Sequence, residues 1–157
     1  MMKHNYFLKS ATLLSQESKC VSKQVGAILV HEYRTISTGY NGTPAGHVNC
    51  NQVFDPKNFD REEHHKFSLQ RELHAEANAI AFAAKHGIAT DDSTMYCTLE
   101  PCDDCLKLMI AAGVKKAYYL HDYDYADKNN PLRQDIQIEK ITNEDLEKFL
   151  EMLEKLK

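Results

Sequence analysis

Residues Val25 to Val30 read VGAILV, a run without a single polar side chain. A strand with one wet face alternates apolar and polar residues, whereas a strand without alternation has to be covered on both faces. This run therefore calls for a sheet held between layers, and the rest of the chain offers helices to build them. Residues 5–19 carry Phe7, Ala11 and Leu14 at helical spacing. An Ala-rich segment from His74 to His86 presents Ala77, Ile80, Ala81 and Ala84 as a buried stripe, with Gly87 as its stop. Cys102 to Ala112 reads as a further helix, closed by Gly113. A last helix starts near Thr142, where Thr142 and Asp145 have capping-box spacing ahead of Leu146, Phe149, Leu150 and Leu153. Between the helices lie strand patterns at residues 35–40, 94–98, 116–120 and 136–140. Strands alternating with helices predict an α/β sheet covered by helices. The polar stretch over residues 47–72, with His47, Cys50, His64 and His65, gives no clear periodicity.

At 157 residues the chain is expected to form one domain, with a core over about residues 5–140 and a closing helix over about 142–156. That length buries a core without disulfides. No run is long enough to span a membrane, and the first twenty residues carry Lys3, Lys9 and Lys19 rather than a signal-peptide core. A cytoplasmic location is expected, in which the five cysteines are thiols or metal ligands. The formal net charge of −4 lacks the basic footprint of a nucleic-acid binder, so no nucleic-acid partner is expected.

Two segments carry chemistry: His74-Ala75-Glu76 and Pro101-Cys102-Asp103-Asp104-Cys105. Together they match the H-x-E…P-C-x-x-C pattern of zinc deaminases. Cys102 and Cys105 stand three apart in the first turn of a helix, so both sulfurs face one side. His74 opens another helix. One nitrogen and two thiolates leave a fourth tetrahedral position open, which separates a catalytic zinc site from a closed structural one. Glu76, two residues from the histidine, can reach a water there without binding the metal and is the expected catalytic residue. A C-x-x-C pair alone would equally suit a zinc knuckle or a redox pair, but neither needs the H-x-E.

Several stretches together resemble the deoxycytidylate deaminase family, especially its T-even-like bacteriophage form. They are Ser15–Cys20 (SQESKC), Val25-Gly26-Ala27, Gly39–Gly46 (GYNGTPAG), Val48-Asn49-Cys50, His74–Ile80 (HAEANAI) and Thr98–Cys105 (TLEPCDDC). The resemblance covers about residues 10–125. It implies a cytidine-deaminase-like three-layer fold, a five-stranded mixed sheet with helices on both faces. It implies hydrolytic deamination of dCMP to dUMP and ammonia, supplying dUMP for thymidylate synthesis, in a homo-hexamer activated by dCTP with Mg2+ and inhibited by dTTP.

The resemblance also assigns roles. Glu76 moves protons between water, N3 and the leaving amine. The N–H of Ala75 holds the base carbonyl, and a backbone carbonyl near Leu99 or Glu100 accepts from the amino group. Asn41 resembles the asparagine that contacts the sugar; its other reading is a turn residue with positive φ. Lys19 and Ser22, with Lys23 behind them, are candidates for the 5′-phosphate, and Tyr123 for a wall on the nucleotide. Similarly placed residues in the phage form hold a second, structural zinc, which points to Cys20, Cys50 and His64, with Asp60, His65 and His47 open as fourth ligand. The other reading leaves Cys20 buried at a helix end and Cys50 free in a loop. Gly42, Thr43, Ala45 and Gly46 are expected to form the effector site, since the glycines let backbone N–H groups approach phosphates. The competing readings are a tRNA adenosine deaminase, a deaminase of other nucleosides and a non-catalytic zinc-binding interaction module.

Overall fold

The computed structural model describes residues 2–157. Helix α1 (Met2–Ser15) leads to the antiparallel pair β1 (Gly26–His31) and β2 (Arg34–Tyr40). Then come a short α2 (Cys50–Val53), α3 (Arg61–Arg71) and α4 (Ala75–Lys85). The chain continues through β3 (Ser93–Leu99), α5 (Asp103–Ala111), β4 (Val114–His121), a 3-10 turn (Pro131–Gln134), β5 (Gln137–Lys140) and α6 (Glu144–Lys155). The five strands lie in the order β2-β1-β3-β4-β5. The β1 strand is antiparallel to both neighbours, and β3, β4 and β5 run parallel.

The double-sided burial foreseen for residues 25–30 is realised by alternation between two cores. Ala27 and Leu29 of β1, Met95 and Cys97 of β3, and Ala117 and Tyr119 of β4 face α4 and α5. Ile28 and Val30, Tyr96, and Tyr118 and Leu120 face α1 and α6. Among the described residues no helix is long and apolar enough to cross a membrane.

Three local readings change. Helix α1 ends at Ser15 instead of residue 19, because the N–H groups of Gln16, Glu17 and Ser18 bond three residues back and Ser18 Oγ donates to the Asn41 carbonyl at 2.8 Å. The buried stripe of α4 is Ala75, Ala79 and Ala83. Ala81 and Ala84 are exposed, and Ala77 and Ile80 only half-buried. In a helix this rich in alanine several stripes look alike. The cap of α6 is Asn143, whose side chain accepts from Leu146 N at 3.1 Å, and not Thr142.

Stretch 47–72 condenses into α2 and α3. Asp60 caps α3 by accepting from Glu63 N at 2.9 Å. At the other end Glu72 turns to extended backbone (φ −100, ψ 137) and stops the helix. From there Leu73 leads directly into His74, which caps α4.

Candidate active site

Two helix N-termini meet at one end of the sheet. His74 is the N-cap of α4 and Cys102 the N-cap of α5, where its sulfur accepts from Cys105 N at 3.5 Å. His74 Nδ1 stands 3.4 Å from the sulfur of Cys102 and 3.4 Å from that of Cys105. A tetrahedron around zinc, with Zn–S of about 2.3 Å and Zn–N of about 2.0–2.1 Å, has S···N edges of about 3.5 Å. The three donors therefore fit zinc, and they leave one vertex free.

The electrostatics separate the two thiols. The hydrogen bond from Cys105 pulls the Cys102 thiol down to about 4 against its burial, with His74 and the Cys105 amide adding. The same bond, with burial, pushes the Cys105 thiol upward. His74 is raised, first by its contact with Cys102. Thiolate at a helix N-terminus beside an imidazole is the donor chemistry of a soft cation site.

Glu76 lies in the first turn of α4 and is buried at 4% exposure. Burial raises its carboxyl above the ordinary value, partly opposed by a hydrogen bond from Cys105. A carboxyl raised in this way holds a proton more readily than a free one, the condition for a group that takes and returns protons.

The other expected substrate residues are spread around this cluster. Ala75 is the first residue of α4, where backbone N–H groups lack partners within the helix. Leu99 ends β3, and Glu100 N donates to the His121 carbonyl at 2.8 Å. Both ends of the Asn41 amide are held by backbone: Oδ1 accepts from Val25 N and Nδ2 donates to the Lys23 carbonyl, each at 2.8 Å. Asn41 does not have positive φ. Tyr123 is half-buried, and its hydroxyl is raised first by burial and then by the charges of Cys102, Tyr125, Cys105 and Glu76. Lys19 and Ser22 are exposed. Lys23 Nζ sits 4.4 Å from the Tyr123 ring centroid.

A second cluster joins Cys20, Cys50, His64 and Glu72, with all donor atoms within 4.8 Å of one another. Cys20 Sγ is 3.6 Å from His64 Nε2 and 3.7 Å from Glu72 Oε1, and His64 Nε2 is 3.7 Å from Glu72 Oε1. The fourth donor is thus Glu72. Asp60 is occupied as a cap, and His65 and His47 are exposed. The sequence signal for Glu72 was its place where the helix bearing His64 stops, which periodicity could not locate. Glu72 Oε2 is buried and has no hydrogen-bond partner. Burial pushes the Cys50 thiol up to about 11 and also raises Cys20. A buried carboxylate beside two such thiols is costly unless a cation joins them, and four donors make a closed, structural set. The rings of Phe54 and Phe59, each 5.3 Å from that of His64, hold the imidazole in place.

The loop after β2 connects the two clusters. Gly42 and Leu73 exchange backbone hydrogen bonds of 3.1 and 2.8 Å, so the loop is tied to the residue between Glu72 and His74. Thr43, Pro44, His47 and Val48 face Gln70 and Arg71 across a hollow of about 360 Å³. Thr43 Oγ1 is buried without a partner, Ala45 is exposed, and Gly46 holds a φ of +85.

This arrangement recurs in known proteins. Residues 1–121 match the cytidine and deoxycytidylate deaminase zinc-binding region. The chain is 40% identical to the deoxycytidylate deaminases of Enterobacteria phages T2 and T4, over 86% of its own length and 87% and 84% of theirs. It superposes on the dCMP deaminase of cyanophage S-TIM5, solved in complex with dCMP and dUMP, with a TM-score of 0.71 and 37% identity, covering 87% of this chain and 94% of that one. In fold, in motif and over most of its length, the chain belongs to the cytidine and deoxycytidylate deaminase family.

Proposed function

We propose that this chain deaminates dCMP to dUMP. The observation that carries the reading is Glu76, buried in the first helical turn beside three donors that leave a metal vertex free. The cyanophage relative, whose structure holds dCMP and dUMP, supports the choice of nucleotide.

His74, Cys102 and Cys105 would hold the catalytic zinc. When bound, zinc supplies a Lewis acid that makes water acidic enough to lose a proton near neutral pH. The Glu76 carboxylate takes that proton and delivers one to N3 of cytosine as oxygen adds to C4. It then takes the proton of the added hydroxyl and passes it to the amine, so that the C4–N bond breaks as the C4 carbonyl forms, with one water consumed and one ammonia released. The Ala75 N–H holds the base carbonyl, and a carbonyl at Leu99 or Glu100 receives the amino group. Tyr123 walls the cleft, with Lys23 above it. In this reading Asn41 contacts the sugar with the hydrogen and lone pair that its clamp on residues 23–25 leaves over. Lys19 and Ser22, exposed on the same segment as Lys23, stand towards the phosphate.

Zinc in the second cluster would tie the segment after α1 to α2 and to the end of α3. The hollow between the Gly42–Gly46 loop and Arg71 suits a phosphate-bearing effector, dCTP with Mg2+ or dTTP. Its tie to Leu73 gives such a ligand a short route to His74. A hexamer would cover large apolar side chains exposed in one copy, among them Leu69 and Phe82, and sedimentation measures it.

The deciding experiment is ammonia release by zinc-loaded protein from dCMP, cytidine and an RNA stem-loop, with and without dCTP. Turnover of dCMP well above the other two is expected. Preference for the RNA would move the chain to the tRNA adenosine class, and no turnover of any would leave a zinc-binding interaction module.

A further inference from the structure

Glu100 stands two residues before Cys102, and its side chain is fully buried. Its carboxylate collects donors from one loop. Oε1 accepts from Tyr123 N at 3.1 Å, both oxygens accept from Lys128 Nζ at 2.7 Å, and Oε2 accepts from Arg133 Nη2 at 2.9 Å. Lys128 also reaches Asp122 and the Tyr119 hydroxyl, and Asp122 pairs with Lys140 at 2.7 Å. The loop it gathers runs from the end of β4 to β5 and has no regular structure but one 3-10 turn. Over residues 122–134 Ala126 is buried, Tyr123, Asn130, Leu132 and Arg133 are half-buried, and the rest are exposed. Apolar packing holds it at few points, through Ala126 and through Leu132 against the core.

A buried carboxylate with two cations and an amide on it is a poor core filler, because it stays buried only while its partners stay. Here all three partners belong to the same loop. That loop carries Tyr123, and Lys23, from the segment before β1, covers its ring at 4.4 Å. The segment that leads into Cys102 thus also holds, through the side chain of Glu100, the loop that carries Tyr123.

We propose that Glu100 is a positioning residue for the nucleotide. Its carboxylate anchors residues 122–134, and with them the Tyr123 ring beneath Lys23, as the wall of the cleft, so that it governs how tightly the nucleotide is held more than how fast it is hydrolysed. The kinetic part of this inference rests on the reading of the chain as a dCMP deaminase; the anchoring part does not.

The test uses the full-length, metal-loaded protein, its Glu100→Gln variant, and Lys128→Ala, which removes a half-exposed side chain and leaves the core intact. Glu100→Gln still accepts the Tyr123 N–H but loses its charge. For both variants KM for dCMP should rise, by roughly tenfold in Glu100→Gln, with a smaller change in kcat. Combining Glu100→Gln with Tyr123→Ala should raise KM little beyond Tyr123→Ala alone, since the two act through one wall. Limited trypsin digestion reads the anchor without any turnover: cleavage after Arg133, slow in the parent, should become fast in Glu100→Gln. A parent that binds zinc but does not turn over dCMP would refute the functional reading, while the trypsin result would still decide the anchor. Unchanged cleavage after Arg133 in Glu100→Gln would overturn the inference. So would a loss of kcat at constant KM in either variant, or fully additive effects with Tyr123→Ala.

Discussion

Gly39 of β2 and Ala75 of α4 cross backbone to backbone: a Cβ on Gly39 would overlap the Ala75 carbonyl oxygen and come within 2.5 Å of Ala79 N. The neighbouring Ser37 Oγ donates to the Ala79 carbonyl at 2.6 Å, locking the same contact. Helix α4 is therefore seated on the sheet through backbone, and that seat places His74, Ala75 and Glu76. Gly39→Ala should lower stability by about 3 kcal/mol, the upper range for overpacking. It should also reduce dCMP turnover by more than it reduces zinc content. A denaturant midpoint equal to that of the parent would show that the contact is looser than described.

Glu76→Gln keeps the size and burial of the side chain and removes its capacity to take a proton. The cluster of His74, Cys102 and Cys105 should stay loaded, since Glu76 is not among its donors. Turnover should fall by at least about 10²–10⁴-fold, the usual contribution of one proton-transfer group, with more expected where one residue serves several steps. Metal analysis and kcat on the same preparation check both halves, and near-parental kcat in loaded protein would remove Glu76 from its assigned role.

Gly46 holds a φ of +85 with no atom within 4 Å of the position of a Cβ. Gly46→Val therefore acts by backbone strain and not by collision, reshaping the loop that faces Arg71. Arg71→Ala removes the cation across the hollow with the loop unaltered. Both should blunt activation by dCTP with Mg2+ and inhibition by dTTP while changing turnover at saturating dCMP much less. A full effector response in both variants would place the regulatory ligand elsewhere.

The apolar run at residues 25–30 was sufficient to foresee a sheet covered on both faces, because burial on two sides leaves its mark in composition. That His74, Cys102 and Cys105 would meet was legible from the H-x-E and P-C-x-x-C motifs, each of which opens a helix. Glu72 was not legible. Its helix is polar nearly all round, with His64 and Phe67 as its buried residues, so no stripe showed which way the last turn faced. The α4 stripe was misread because Ala77, Ala81 and Ala84 look as apolar as the buried Ala75, Ala79 and Ala83. The Glu100 side chain was read only for its backbone carbonyl, since its partners Lys128 and Arg133 lie in an irregular loop whose path no periodicity predicts.

Glu72 gives the sharpest test of the second cluster. If Cys20, Cys50, His64 and Glu72 bind zinc, the purified protein should contain about two zinc ions per chain, against one for the catalytic cluster alone. Such a zinc would contribute directly to folding free energy, because it joins the segment after α1 to α2 and to the end of α3. Glu72→Ala and Cys50→Ser should each reduce the count to one and lower the melting temperature, while leaving His74, Cys102 and Cys105 loaded. Asp60→Ala is the control that separates ligand from cap. It removes the hydrogen bond to Glu63 N and should cost about 1 kcal/mol, the usual value of an N-cap, with the zinc count unchanged. Loss of one zinc in Asp60→Ala, with two retained in Glu72→Ala, would reverse the assignment of the fourth ligand. One zinc per chain in parent protein never exposed to chelator would show that the four residues meet without binding metal.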